Sequence, residues 1–227
     1  MPAQRRPQPT KRNPTARRQP AKGRREANKE KTRQQILTAA LELFRKKGFF
    51  QTTTKEISRR AKIAEGTLFN YFRTKEDLAL YFFEQEIADL ITWFETDRGM
   101  QDAPLPEKLF GIILRHLDRI SPYEDFIGAV YLRALLPSSK LNPASLESQA
   151  LNIHYLRFIR EVLAGAETAG EIPSVGDLGA YGFGLFHLGM ITYWLNDRSP
   201  GKENTLATLD RSLKLATTFM RKKGWEW

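Results

Sequence analysis

Three threonines in the first third of the chain stand three residues ahead of a side chain that can complete a capping box. Thr32 has this spacing to Gln35, Thr53 to Glu56 and Thr74 to Asp77. In such a box the hydroxyl accepts from the backbone N–H three residues on, and the later side chain accepts from the threonine's own N–H. Each box therefore marks the start of a helix. Apolar residues recur at helical spacing behind each one. Ile36, Leu37, Ala40, Leu43 and Phe44 precede Gly48, a natural stop, so a helix is expected over 32–47. Ile57 and Ala61 form the inner stripe of a short helix from 54. A third helix is expected over 65–72. The helix from 75 carries Leu78, Tyr81, Phe83, Ile87, Leu90, Ile91 and Phe94 and should end near 98–99.

The remainder is also helical in pattern, over 106–120, 123–136, 145–169, 174–196 and 204–222, and no segment alternates with period two. The expected fold class is all-α, with about nine helices. An N-terminal three-helix helix-turn-helix unit (32–78) precedes a C-terminal helical bundle (79–227). From Leu178 to Leu195 the chain has no Asp, Glu, Lys or Arg, which is barely the length of a membrane span. Four glycines and a histidine within it lower its transfer gain. A buried bundle helix or a helix at a subunit contact fits better than a membrane helix.

The net charge of +10 is unevenly spread. Residues 1–31 hold eleven Lys/Arg against two Asp/Glu, residues 32–78 ten against five, and residues 79–227 fifteen against nineteen. Such a split suits a polyanion bound by the first third. Residues 1–31 contain five prolines and no apolar run, so they read as a disordered basic tail and not as a secretion signal, which points to the cytoplasm. There is no cysteine, and His116, His154 and His187 lie far apart without ligand spacing, so no metal and no cofactor is expected. G-x-S-x-G, a P-loop, a dinucleotide-binding fingerprint and Glu-x-x-His pairs are absent from the sequence, so an enzyme is not expected.

A short capped helix followed by a tight turn and a second short helix suits a helix-turn-helix, whose second helix enters the DNA major groove. On a helical wheel Leu68 and Phe72 share one side and anchor that helix. Gly66, Thr67, Asn70 and Tyr71 fill the other side. Gly66 permits close backbone approach, Asn70 is a bidentate partner for adenine, and Thr67 suits a thymine methyl or a phosphate. Thr53 and Lys55 at the start of one helix and Lys75 at the start of the next are placed for phosphates, which give affinity without sequence choice. Glu65 has two readings: a first-turn acid favoured by the helix dipole and paired with a nearby cation, or a base contact to a cytosine amino group.

The stretch 32–78 resembles the DNA-binding domain of the tetracycline-repressor (TetR) family. The matching features are Gly48-Phe49, Thr53 with Ile57, Gly66-Thr67-Leu68-Phe69, Phe72, and Lys75 with Leu78. The family often has Tyr where this chain has Phe69, and a polar pair where it has Ala64-Glu65. The resemblance implies a transcriptional regulator, usually a repressor. It implies a homodimer joined through the last two long helices, bound to a palindromic double-stranded operator and responsive to a small-molecule effector. It carries DNA contacts onto Thr53, Lys55, Glu65, Gly66, Thr67, Asn70, Tyr71 and Lys75. The implied dimer face uses Phe183, Phe186, Met190, Trp194, Leu206, Leu209, Leu213 and Phe219.

A sensor needs an apolar cavity with a few polar groups. Candidates in the bundle are Trp93, Phe94, Phe110, His116, Phe126, Tyr131, Tyr155, Phe158, Phe186, His187 and Tyr193, although aromatics at helical spacing are more often plain core. The mildly acidic bundle suits an apolar, aromatic or cationic effector. Three alternatives stand beside a ligand-released repressor: a general nucleic-acid binder led by the basic tail, an activator, and a regulator answering to a protein. The tail itself either enters the minor groove or tethers the protein electrostatically.

Overall fold

The structure, a computed structural model, describes residues 21–222, with side chains over 23–219. Among the described residues it is all-helical, in the order α1 (Ala21–Lys47), α2 (Thr54–Arg60), α3 (Glu65–Tyr71), α4 (Lys75–Thr96), α5 (Arg98–Asp102), α6 (Leu105–Ile120), α7 (Glu124–Ala134), α8 (Leu146–Thr168), α9 (Gly176–Asn196) and α10 (Glu203–Lys222). Two single 3-10 turns, Ser121–Tyr123 and Pro200–Lys202, lead into α7 and α10.

Two of the three expected caps form. Thr53 and Glu56 exchange both bonds of a capping box at α2, as do Thr74 and Asp77 at α4. The first box does not form. Thr32 lies inside α1, where its hydroxyl donates to the carbonyl of Asn28 (2.9 Å). Helix α1 instead reaches back to Ala21, so the expectation of disorder fails for residues 21–31; the rest of the expected tail, 1–20, lies outside the described residues. Gly48 ends α1 as expected, with φ at +88°, a conformation that suits glycine.

Ile36, Leu37, Ala40 and Phe44 of α1 bury against Ile57 of α2, Ala61 just after it, Leu68 of α3 and Phe72 at its end. This small core joins the bundle through aromatic rings. Phe44 stacks on Phe126 with centroids 5.0 Å apart, and Phe82 meets Phe126 edge-on at 5.4 Å. Helix α4 runs through the expected boundary at 78/79 and belongs to both halves. Its first turn is tied to the bundle by ions: Glu76 pairs with Arg133 (2.6 Å) and accepts from the Lys140 backbone N–H, and Asp77 pairs with Lys140 (2.6 Å).

Behind this junction α4, α6, α8, α9 and α10 pack as a bundle around Leu90, Ile112, Ile113, Phe158, Ile159, Ile191 and Leu209. The turn from α9 to α10 is held by the Asp197 carboxylate, which accepts from Ser199 and from both the N–H and hydroxyl of Thr205. Those bonds keep its carboxyl far below the usual carboxylate range. Among the described residues, no helix is long and apolar enough to cross a membrane.

Candidate nucleic-acid interface and sensor cavity

The turn between α2 and α3 is set by Lys62, which takes a left-handed backbone conformation (φ +55°). Gln35 of α1 holds this turn by donating to the carbonyl of Ala61 (2.6 Å). No local pattern signals that bond, because its partners lie 26 residues apart. Leu68 and Phe72 anchor α3, both buried, while Gly66 and Asn70 face outward and Thr67 and Tyr71 are half-covered. A Cβ built on Gly66 would meet nothing within 4 Å. The fold itself does not require glycine there, which leaves room for close approach from outside the chain. Phe69 is exposed as well, an apolar side chain beside Asn70.

Glu65 accepts from the Thr54 hydroxyl (3.1 Å). The expected partner was a cation; the observed one is a neutral hydroxyl that ties the start of α3 to the start of α2. Ala64, the residue before α3, offers no side-chain cap. The hydroxyl of Thr53 is committed to the cap of α2, and Lys55 is exposed. Lys47 bonds Glu56 at 2.5 Å, and this contact, with the bonds from Thr53, lowers the Glu56 carboxyl to about 2.

Lys75 is less free than its position suggests. Its ammonium donates to the carbonyls of Phe49 (2.6 Å) and Phe50 (3.1 Å) and lies 4.8 Å from the Phe49 ring centroid. Burial, then the charges of Arg133 and Lys47, lower its pKa. Two of its three donors thus hold the loop after α1, leaving one toward a phosphate.

An open cavity of about 670 Å³ lies at the surface of the bundle between α4, α5, α6 and α10. Trp93, Met100, Phe110, Leu114 and Leu213 give it apolar walls, and Arg115 and Lys214 bring positive charge, offset by Glu107, Asp118 and Asp210. Of the expected ligand residues only Trp93 and Phe110 line it. Phe94 and Phe158 pack edge-on against each other in the core, Phe126 forms the domain junction, and Phe186 packs on Phe183. Tyr131 buries its hydroxyl without a bonding partner, and Tyr193 lies on the surface. His116, His187 and Tyr155 form a separate buried chain. The His116 Nδ1 and His187 Nε2 lie 3.0 Å apart, and the other His187 nitrogen meets the Tyr155 hydroxyl. Burial pushes the His116 pKa down to about 4 and the His187 pKa well below its ordinary value. Both rings are therefore neutral near pH 7 and act as hydrogen-bonding core. His116 lies on the face of α6 that turns away from the cavity.

The expected dimer face also divides differently. Phe183, Met190 and Trp194 of α9 and Leu209 and Leu213 of α10 are buried in the chain's own core. The opposite face of α9 carries Leu178 (82% exposed), Tyr181, Leu185 (71%), Leu188 and Tyr193. A wheel of α9 separates these sets cleanly: the largest side chains turn inward, and a coherent outer stripe of leucine and tyrosine is left over. Gly182 and Gly189 share that stripe and meet nothing among the described residues, whereas Gly179 and Gly184 are filled by Val175 and Leu156. Phe186 is half-covered, and Leu206 and Phe219 remain exposed on α10.

A recognition helix braced by two capped helices, in front of a bundle with an apolar cavity, defines a helix-turn-helix transcriptional regulator. Two family models match the chain: one described as bacterial regulatory proteins, tetR family, over 36–82, and one as tetracyclin repressor-like, C-terminal domain, over 108–226. The protein belongs to the TetR family of DNA-binding regulators. It is 26% identical over 192 residues to the fatty acid metabolism regulator protein of Bacillus subtilis (strain 168), covering 83% of this chain and 95% of that relative. Its fold matches FadR from Bacillus subtilis, solved in complex with stearoyl-CoA (TM-score 0.60, 22% identity, 82% of this chain and 97% of that one). It also matches Thermus thermophilus FadR, a repressor solved with lauroyl-CoA (TM-score 0.56, 22% identity, 86% and 95%).

Proposed function

We propose that this protein is a cytoplasmic repressor that binds a palindromic operator as a homodimer and is released by a long-chain acyl-CoA. It works by binding and not by turnover. Gly66, Thr67, Asn70 and Tyr71 face the bases, Lys55 and Lys75 serve phosphates, Thr53 caps the helix that carries Lys55, and Glu65 braces the recognition helix through Thr54. The outer stripe of α9, from Leu178 to Tyr193, with exposed residues of α8 such as Ile153, supplies the dimer contact.

The cavity carries the choice of ligand. Its size lies within the ~300–1,000 Å³ typical of small-molecule sites. Its walls suit an alkyl chain, while Arg115, whose buried Nε has no bonding partner among the described residues, suits an anionic head. An acyl-CoA joins both chemistries in one molecule, and two structural neighbours were solved with such ligands.

The test is a gel shift on DNA from upstream of the protein's own gene, titrated with lauroyl-CoA, stearoyl-CoA and free CoA. The acyl forms should release the DNA and free CoA should not. In Leu114→Trp the larger indole narrows the cavity where the alkyl chain would lie, so operator binding should persist while release by acyl-CoA weakens. Release by free CoA, or unimpaired release in the variant, would reject the assignment.

A further inference from the structure

Residues 23–31 of α1 are exposed throughout, and the fold gives them little reason to be helical. They bury no apolar stripe, and short helices without packing are marginal in water. Their order extends from the packed part of α1, where Ile36, Leu37 and Ala40 lie in the core. The charges on this extension are sorted. Glu26 and Glu30 lie on one side, one turn apart. Glu30 meets the Tyr81 hydroxyl and Gln34, and Gln34 also donates to Tyr81 (2.8 Å) and Gln85 (2.9 Å). Arg33 lies over the Tyr81 ring at 5.9 Å. Arg24 and Lys31 lie on the side opposite those acids, and Arg25 and Lys29 form a second stripe beside it that reaches round to Glu26. Like charges one turn apart, as Arg25 and Lys29 are, destabilise a helix by a few tenths of a kcal/mol, so this arrangement is not explained by helix stability.

Its place beside the recognition helix identifies the partner. The Tyr81 ring packs against Phe72, the residue that ends α3, with centroids 5.4 Å apart. One turn further along α1, Gln35 holds the turn that begins α3. The part of α1 from which the extension departs, residues 30–35, thus touches the turn that begins α3 and, through Tyr81, the residue that ends it. Residues 79–227, by contrast, carry a net negative charge. We propose that the Arg24, Arg25, Lys29 and Lys31 arc is a second DNA contact, which grips backbone phosphates flanking each half-site while α3 occupies the major groove. It acts through charge and register, not by reading bases. This inference rests on the DNA-binding role of α3, and its test separates the two.

Full-length protein carrying Arg24→Gln, Arg25→Gln, Lys29→Gln and Lys31→Gln would be compared with the unchanged chain. Glutamine is a good helix former, so α1 should persist, as circular dichroism can verify. Binding to the operator and to random DNA should weaken together, by tenfold or more at ~0.1 M salt. The slope of log affinity against log salt should shrink by about 0.9 for each phosphate left without its cation, with a ceiling of about 7 for the eight side chains of a dimer. The ratio of operator to random affinity should hold, because α3 is untouched. A companion variant, Arg24→Lys with Arg25→Lys, should bind both DNAs as the unchanged chain does, because a phosphate accepts either cation. An unchanged slope in the glutamine variant would overturn the proposal. So would a collapse of operator preference alone, or weakened binding in the lysine variant, since either would mean that Arg24 or Arg25 reads the minor groove. Loss of preference in Asn70→Ala with a normal slope would still leave the α3 assignment intact whatever the extension does.

Discussion

At the residue scale, two side chains of the DNA-facing unit do different work although both lie at its surface. Asn70 is exposed and bonds nothing that the fold needs, so Asn70→Ala should leave the melting temperature unchanged. It should relax discrimination at one base pair by about 1–3 kcal/mol, measured by gel shift on single-base operator variants. Lys75 carries a structural load as well, because its ammonium closes on the Phe49 and Phe50 carbonyls. Lys75→Met strands both acceptors and should lower stability by about 1–3 kcal/mol, with DNA binding falling in parallel. Thermal melting distinguishes this from a pure phosphate contact, which would weaken DNA binding and leave the melt unmoved. Glu65 also carries a bond within the fold. Its bond to Thr54 places it among the residues that set the angle between α2 and α3.

At the scale of elements, α9 shows how one apolar helix serves two surfaces. Its inner side fills the protomer core with Ala180, Phe183, Met190, Ile191 and Trp194 and bonds His187 to His116. Its outer side presents Leu178, Tyr181, Leu185 and Leu188, with Gly182 and Gly189 leaving the backbone open to a neighbour. Leu185→Arg places a charge in the centre of that stripe. It should convert the dimer to a folded monomer, seen by light scattering after size exclusion, and should abolish binding to a two-half-site operator. Met190→Arg, on the inner side, should instead unfold the chain, because a buried unpaired charge costs several kcal/mol. If Leu185→Arg stayed dimeric, the outer stripe would not be the subunit contact.

The whole molecule should also feel the buried imidazoles. Unfolded, the His116 ring takes up a proton near 6.5, but in the folded chain it holds off until about 4. The unfolded state therefore binds more protons between those values. Stability contributed by the neutral ring is intact above about 6.5 and is lost as pH falls toward 4, by up to about 3 kcal/mol. The His187 pKa is lowered too and adds in the same direction. Urea midpoints measured across this range should fall steadily with acidity, and the fall should flatten when both histidines are replaced by leucine. Because this chain links α6, one wall of the cavity, to α8 and α9, acid should loosen the packing between the sensor and the dimer face together.

Much of this protein follows from local pattern. Helix positions, two of three caps, the glycine stop at Gly48 and the apolar anchor of α3 obey spacing rules that act within a few residues, so the sequence alone determined them and, through them, the helix-turn-helix. Thr32 failed as a cap because α1 continues through it from the packed part of the helix, and its hydroxyl bonds the Asn28 carbonyl instead. The cavity, the histidine pair and the two sides of α9 were decided by the tertiary structure. Each brings together residues dozens of positions apart, as His116 and His187 are, and an aromatic ring looks the same in sequence whether it packs in a core, bridges two domains or lines a ligand site. Burial, which only the assembled bundle assigns, separates those roles.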